Sequence, residues 1–395
     1  MNTAVRVADP SEATPVRPGV VLWALLALLA IVTGVYARTF SVPFVFDDVT
    51  AIRDNRTIRH LFSPDVVLAP PNSTTVGGRP VLNLSLALNY AISGLEPWSY
   101  HALNLLIHSG AGMLLFGLAR RTLARLAGRQ VVSARDTWCA FAASALWLLH
   151  PLQTEAVTYI IQRAESLMAF FYLLTLYGYL RSLSSPQPRA WRGISFVACL
   201  LGMATKEVMV SAPLIILLYS RTFVTGSWRE TWRRDGRFFG ALAMTWLLLG
   251  GLVLTTGGRG GSAGFNAGVT PWTYAVTQCG ALVRYGALAL WPHPLVFDYG
   301  RAFVTDLGAV VAPGLAVLAA LGLTSWAIVR RPAGDLSAPV FLRCSPRPRA
   351  SCRSRRNRLR STGCICRSPR SSSRGSWPRT GGSAGSPFGV AWRSR

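Results

Sequence analysis

Two aspartates stand side by side, Asp47 and Asp48, in the run V-F-D-D-V-T-A-I-R-D-N-R-T-I, within a chain that carries only 16 acids in 395 residues. A loop carboxylate can take the proton of an attacking hydroxyl, and Asp47 is the expected general base; it could instead ligate a divalent cation, because the same hard oxygens serve both purposes. Adjacent side chains diverge on helix and strand alike, so Asp48 points elsewhere, either toward the same chemistry or as the N-cap of a helix over 49–53. Three cations could hold a phosphate. Arg163 follows Tyr159 at one-turn spacing with Glu155 and Glu165 close in sequence, which makes it a phosphate fork or half of an Arg–Glu pair between helices. Lys206 is the one lysine in the chain. Inside an apolar stretch, a compact point charge predicts contact with phosphate or sugar, the alternative being a buried pair with Glu207. Arg79 either touches a phosphate or anchors the chain at a membrane surface. Glu155, Glu165, Glu207 and His150 complete the candidate set as supporting groups, His150 as a helix-end residue without the neighbours a metal site needs.

These residues need a scaffold, and composition says which kind. Of all residues 51% are hydrophobic and 14% charged, a balance typical of membrane proteins. Uncharged runs at 18–37, 101–119, 137–149, 166–180, 238–256 and 307–329 read as membrane spans. The first reads as a retained anchor rather than a cleaved signal. The stretch 193–220 reads as a short hairpin turning at Thr205-Lys206-Glu207 with Pro213 on its return arm. A single helix there would put the basic segment 221–237 opposite Arg181, Arg189 and Arg192, against the tendency of basic loops to gather on the cytoplasmic side. The sum is an all-α polytopic membrane protein of about eight spans. Residues 1–17 form a cytoplasmic segment, 18–334 the transmembrane domain, and 38–100 a large first loop on the far side, periplasmic in a bacterial inner membrane, carrying the Asp-Asp motif. Ser85, Asn89 and Ser93 recur every fourth residue, which predicts a helix lying in the membrane interface with one polar stripe. His101, Asn104 and His108 are expected to form interhelical hydrogen bonds. The run 271–290 contains Arg284 and reads as interfacial or re-entrant; a Gly-rich loop follows Thr256.

The net charge of +25 would suggest a nucleic-acid partner, but residues 341–395 hold 14 arginines and no acid. Without them a moderately basic membrane protein remains, and no nucleic-acid partner is expected. Residues 335–395 cannot bury a core and read as a low-complexity, disordered tail. Back-translated from Cys344 to Pro369 with two nucleotides dropped, the same DNA can read strings that include A-P-T-S-S and E-H-R-M-Y-L-P. The tail is therefore expected to be the product of a shifted reading frame beginning near Asp335. Its C-I-C pair lacks the spacing of a zinc site.

The segments F-V-F-D-D at 44–48, R-P-V-L-N-L-S-L-A-L-N-Y at 79–90, Y-H-A-L-N-L-L-I-H at 100–108, H-P-L-Q-T-E-A-V-T-Y-I-I-Q-R-A-E at 150–165 and T-K-E at 205–207 stand in this order. Together with the shifted-frame strings, the chain resembles the multi-pass O-mannosyltransferase family that joins a transmembrane half to tetratricopeptide repeats, including its bacterial relatives. The resemblance covers roughly residues 20–335 and no repeats are present. It implies the transmembrane fold of the C superfamily of glycosyltransferases, with its catalytic acid in the first outer loop. It also implies transfer of a mannose-like sugar from a polyprenyl-phosphate donor to a protein Ser or Thr, or another periplasmic hydroxyl, with membrane lipids around it. No cofactor beyond the lipid-linked sugar, or a divalent cation at Asp47, is expected. A lipid or saccharide transporter or flippase is the competing reading, although acids that gather at helix ends, with no internal repeat, are not a transporter's pattern. An inactive truncated fragment is the third.

Overall fold

In lipid a backbone can satisfy its polar groups only as helix or closed barrel, and helix is what this chain forms. The computed structural model describes residues 15–256, 270–297 and 307–330. Its elements are α1 (Pro18–Tyr36), α2 (Asp65–Leu68), α3 (Pro80–Ser93), α4 (Trp98–Leu126), α5 (Ala134–Leu149), α6 (Thr154–Thr158), α7 (Arg163–Ser182), α8 (Pro188–Met203), α9 (Ala212–Ser220), α10 (Trp228–Thr255), α11 (Pro271–Leu290) and α12 (Leu307–Arg330), with no strand among the described residues. The basic tail, on which the expected frame shift falls, the Gly-rich stretch from 257 and residues 1–14 lie outside the described residues.

Among the described residues, five segments are long and apolar enough to cross a membrane: Pro18–Ser41, Trp98–Leu126, Glu207–Thr225, Trp228–Thr255 and Val310–Ala327. The protein is all-α and multi-pass. The sequence reading of about eight spans counts α5, α7 and α8 as well; α5 and α7 pack along α4, and α8 packs along α7. Close approach is secured by small residues. A Cβ added at Gly112 would lie 2.5 Å from Leu148 Cδ2, so α4 and α5 can meet there only without one. Ser133 opens α5 with a reciprocal cap, its Oγ accepting from Asp136 N (3.2 Å) while Asp136 Oδ2 accepts from Ser133 N (2.9 Å). His108 Nε2 meets the Leu148 carbonyl at 3.0 Å, and His101 Nε2 meets that of Val42 at 2.9 Å. Asn104 Nδ2 donates to Val157 and Ile160 carbonyls, so the three polar residues of α4 do link elements as expected.

The hairpin expected from the charge pattern is present. Tyr179 Oη, near the end of α7, donates to Ser220 Oγ (2.6 Å) at the end of α9 and to Asp235 Oδ2 (3.0 Å) near the start of α10. Arg192, in the first turns of α8, is ion-paired with the same Asp235. The start of α8 and the end of α9 therefore share one end of the bundle, and the turn between them lies at the other. Thr122 Oγ1 and Tyr219 Oη, 2.8 Å apart, bring the last turns of α4 to the arginine-rich end. The run at 271–290 is one continuous helix, α11, packed on α12.

At the opposite end a single side chain ties the pieces together. Arg163 opens α7 and is fully buried. Its Nε donates to Asn104 Oδ1 (2.6 Å), Nη1 to Ser85 O (3.1 Å), Ser85 Oγ (3.3 Å) and Asn89 Oδ1 (2.6 Å), and Nη2 to Tyr100 O (2.8 Å). This corrects two expectations. Arg163 is enclosed away from any incoming phosphate and, among the described residues, forms no ion pair with a carboxylate; all three of its nitrogens donate to neutral acceptors of α3 and α4. The polar stripe of α3 correspondingly faces inward: Asn89 is buried with Ser85 beside it, while Leu84, Leu88 and Ile92 are exposed. Burying a guanidinium requires a full set of acceptors, and that demand outweighs the preference of serine and asparagine for water.

Arg163→Lys tests this arrangement. An ammonium has three donors for five acceptor atoms, and each buried acceptor left unpaired costs about 1–3 kcal/mol. Thermal unfolding in detergent should show a loss of roughly 3 kcal/mol; an unchanged melting temperature would contradict the keystone role.

Candidate functional site

Three segments deliver charged side chains to the end of the bundle where α7 begins: the stretch preceding α3, the corner between α6 and α7, and the turn between α8 and α9. They meet as a polar ring. Thr75 Oγ1 donates to Asp47 Oδ2 at 3.1 Å, and the Thr75 carbonyl accepts from Arg79 Nη1 at 2.8 Å. Arg79 Nη2 reaches Glu207 Oε2 at 3.4 Å, and the neighbouring Lys206 is ion-paired with Glu165. Gln162 Nε2 donates to Glu155 Oε1 at 3.2 Å, and the Asp47 N–H donates to Tyr159 Oη at 3.0 Å, which ties the corner before α7 back to the first aspartate.

The adjacent aspartates have opposite environments. Asp47 is exposed, and its Oδ1 carries no hydrogen bond among the described residues. Asp48 is 1% exposed, with Oδ1 accepting from Ile161 N at 2.8 Å and Oδ2 from Val45 N at 3.1 Å. It precedes the π-helical turn Val49–Arg53 without capping it, so the N-cap expectation is corrected: the carboxylate turns away from that helix to bind the corner before α7. Burial pushes its pKa up to about 6, against the opposing pull of the Val45 and Ile161 N–H groups. Phe46, just before the pair, has φ +46°. A left-handed conformation costs a bulky residue on the order of 1–3 kcal/mol and persists only where the surroundings impose it. Here the hydrogen bonds of both aspartates impose it, and the exposed Phe46 ring stacks on Phe297 at 4.8 Å.

The cations depart from expectation in their pairing. Lys206 takes Glu165 and not Glu207, while Glu207 takes Arg79. The reason is local: Lys206 is extended (φ −159°, ψ 147°), and successive side chains of an extended segment project to opposite sides. Arg79 is only 7% exposed, its Nε is buried with no hydrogen-bond partner among the described residues, and burial lowers its pKa, partly offset by the charge of Glu165. It is thus no surface anchor. Glu155 is exposed, and burial of part of its carboxyl together with the charge of Glu165 raises its pKa. His150 sits at the end of α5, with Nδ1 accepting from Leu152 N and Nε2 against the Ala289 carbonyl, as expected of a helix-end histidine. Tyr159 was missed as a ring member. The expected continuous helix from Tyr159 to Arg163 is broken at Tyr159, whose extended backbone sends its phenol to Asp47 while Arg163 turns into the core. Burial holds that phenol at about 12, so it keeps its proton.

The chain is 33% identical over 198 residues to Protein O-mannosyl-transferase Tmtc2 of Drosophila melanogaster, a match covering 47% of this chain and 20% of that protein. It is 31% identical over 186 residues to Protein O-mannosyl-transferase TMTC3 of Homo sapiens, covering 45% of this chain and 19% of that protein. A longer match, 303 residues at 28% identity, is to Protein O-mannosyl-transferase Tmtc1 of Drosophila melanogaster and covers 69% of this chain and 34% of that protein. The matched portions make up about a fifth to a third of the length of these curated relatives. No family model matches the chain, and no solved structure matches it.

The burial of Asp48 has a measurable consequence. Its folded pKa of about 6 lies above the ordinary 3.8, so the folded state holds this proton more tightly than the unfolded chain does. The stability it contributes is therefore greatest below about pH 4 and is lost as pH rises through about 6. Melting temperatures from pH 4 to pH 7 should show a shallower fall for Asp48→Asn than for the unaltered protein; parallel curves would mean that Asp48 is not the group responsible.

Proposed function

We infer that the chain is a membrane-embedded glycosyltransferase of the C superfamily type, moving a mannose-like sugar from a polyprenyl-phosphate carrier to a Ser or Thr hydroxyl of a protein. Its site faces away from the cytoplasm, the periplasmic side if the membrane is a bacterial inner one. The observation that carries this reading is the exposed Asp47 carboxylate, with one oxygen oriented by Thr75 and the other open, in the same ring as Arg79 and Lys206. The relatives named as protein O-mannosyl-transferases support the reaction class.

The acceptor oxygen attacks the anomeric carbon while its proton passes to Asp47; the bond from that carbon to the phosphate oxygen breaks, and its electron pair leaves on the polyprenyl phosphate. Arg79 and Lys206 are the groups to stabilise that departing charge. Both arrive already paired with glutamates, Arg79 with Glu207 and Lys206 with Glu165. Donor binding therefore exchanges Glu165 and Glu207 for phosphate oxygens. Asp48 and Arg163 act at one remove, fixing the backbone from which Asp47 projects.

Asp47→Asn should lower transfer of labelled mannose from polyprenyl-phosphate mannose to a Ser/Thr peptide by about 10²–10⁴-fold, with the protein still in the membrane and its melting temperature unchanged. Lys206→Gln should raise the KM for the donor more than it lowers kcat. Ordinary turnover by Asp47→Asn would remove Asp47 as the base. A reporter enzyme fused after Ala69 should be active only on the non-cytoplasmic side; activity in the cytoplasm would reverse the orientation.

A further inference from the structure

The end of the bundle remote from the ring contains a second group of cations that the proposed reaction does not use. Arg120 lies in the last turns of α4, is 9% exposed, and has neither a hydrogen bond nor an ion pair among the described residues. Its guanidinium lies over the ring of Phe116, 5.2 Å away on its own helix. The nearest acid, Asp136, is already committed, its oxygens accepting from Arg129 Nη2 (2.6 Å), Ser133 N (2.9 Å) and Ser133 Oγ (2.8 Å). Arg121 stacks over the Tyr177 ring at 5.2 Å and feels the like charges of Arg120, Arg125 and Arg181. Arg181, in the last turn of α7, lies over Trp191 at 5.0 Å, and its buried Nε has no hydrogen-bond partner among the described residues. A buried guanidinium whose nearby acid is already engaged is costly; Arg120 is such a group, and the half-buried Arg121 next to it lies in turn under the like charge of Arg181, an arrangement that an anion would relieve.

The cradle is built rather than incidental. Gly117 allows the Tyr177 ring to press on α4, since a Cβ there would lie 2.7 Å from Tyr177 Cε2. Tyr177 and Trp191 meet edge to face at 5.9 Å, which fixes the aromatic wall over which Arg121 and Arg181 lie. Arg121 Nη1 is anchored on the Gly117 carbonyl at 2.9 Å, which holds its guanidinium against the Tyr177 ring. Both α4 and α7 run out at this level. Guanidiniums with tyrosine and tryptophan at the ends of spanning helices are the chemistry that takes a lipid phosphate.

We propose that Arg120, Arg121 and Arg181, walled by Tyr177 and Trp191, form a binding site for the phosphate of an anionic phospholipid. The lipid phosphate supplies the missing counter-charge and clamps the ends of α4, α7 and α8 together. The site is independent of the glycosyl-transfer reading and survives its failure.

Detergent-purified protein titrated with dioleoyl phosphatidylglycerol, dioleoyl phosphatidylcholine or inorganic phosphate tests this, with retained lipid read by native mass spectrometry and stability by thermal unfolding. Phosphatidylglycerol should be retained and raise the melting temperature, and the other two should not. The double variant Arg120→Gln/Arg121→Gln should bind phosphatidylglycerol at least about tenfold more weakly, as expected for losing charge-assisted hydrogen bonds. Arg229→Gln, an exposed arginine elsewhere on the same end, should bind it normally. In phosphatidylcholine alone, Arg120→Gln should melt no lower than the unaltered protein, because it removes an uncompensated charge. Equal weakening by Arg229→Gln would reduce the effect to diffuse surface charge, and stabilisation by inorganic phosphate alone would make the ligand a soluble anion. A lower melting point of Arg120→Gln in phosphatidylcholine would make the arginine structural. Any of these overturns the proposal.

Discussion

The structure around the candidate site depends on the enclosure of one guanidinium. Arg163 is without solvent, and five acceptor atoms from α3 and α4 surround it. Satisfying it fixes how α3 lies against α4, which way the stripe of α3 faces, and where α7 begins. The residues just before Arg163 inherit that order: Ile161 presents its N–H to Asp48, and Tyr159 presents its hydroxyl to Asp47. A buried positive charge thus organises a negatively charged surface a few residues away, and the two are coupled electrostatically through Asp48.

From that arrangement follows a division of labour between two chemically identical neighbours. Burial and two N–H donors occupy Asp48, which leaves it nothing to offer a substrate. Asp47, raised on a strained Phe46 and steadied by Thr75, has an oxygen free. A carboxylate that is to take a proton must reach the acceptor, and one that is to hold backbone must not move; on the proposed reading Asp47 serves the first purpose, and Asp48 has the enclosure that the second requires. The cations are poised in a similar way, each held by a glutamate that a phosphate could replace.

How much of this could be read from the chain varies with the physics involved. The hairpin at 193–220 was legible because charge on flanking loops is decided by the membrane, whatever the packing. Asn104 and the α4 histidines were legible because polar groups inside a spanning helix need partners. The direction of the α3 stripe was not, since Ser85 and Asn89 suit water or a buried arginine equally well until Arg163 is placed. Arg163 itself was misread because residue type and spacing resemble a phosphate fork, and only enclosure shows its donors are taken. The exchanged partners of Lys206 and Glu207 turn on a single extended residue, which local sequence does not encode strongly. Tyr159 was lost to an assumed helix that breaks at that residue. The pair Asp47 and Asp48 was found, but their separation into exposed and buried rests on contacts more than a hundred positions away.

The most direct test is a structure of the protein with an unreactive polyprenyl-phosphate sugar analogue bound. The account predicts the phosphate against Arg79 and Lys206, with Glu207 and Glu165 displaced. It also places Asp47 Oδ1 within about 3 Å of the position an acceptor hydroxyl would take at the anomeric carbon. A phosphate seated away from these two cations, or an anomeric carbon out of reach of Asp47 with Asp48 still enclosed, would contradict it.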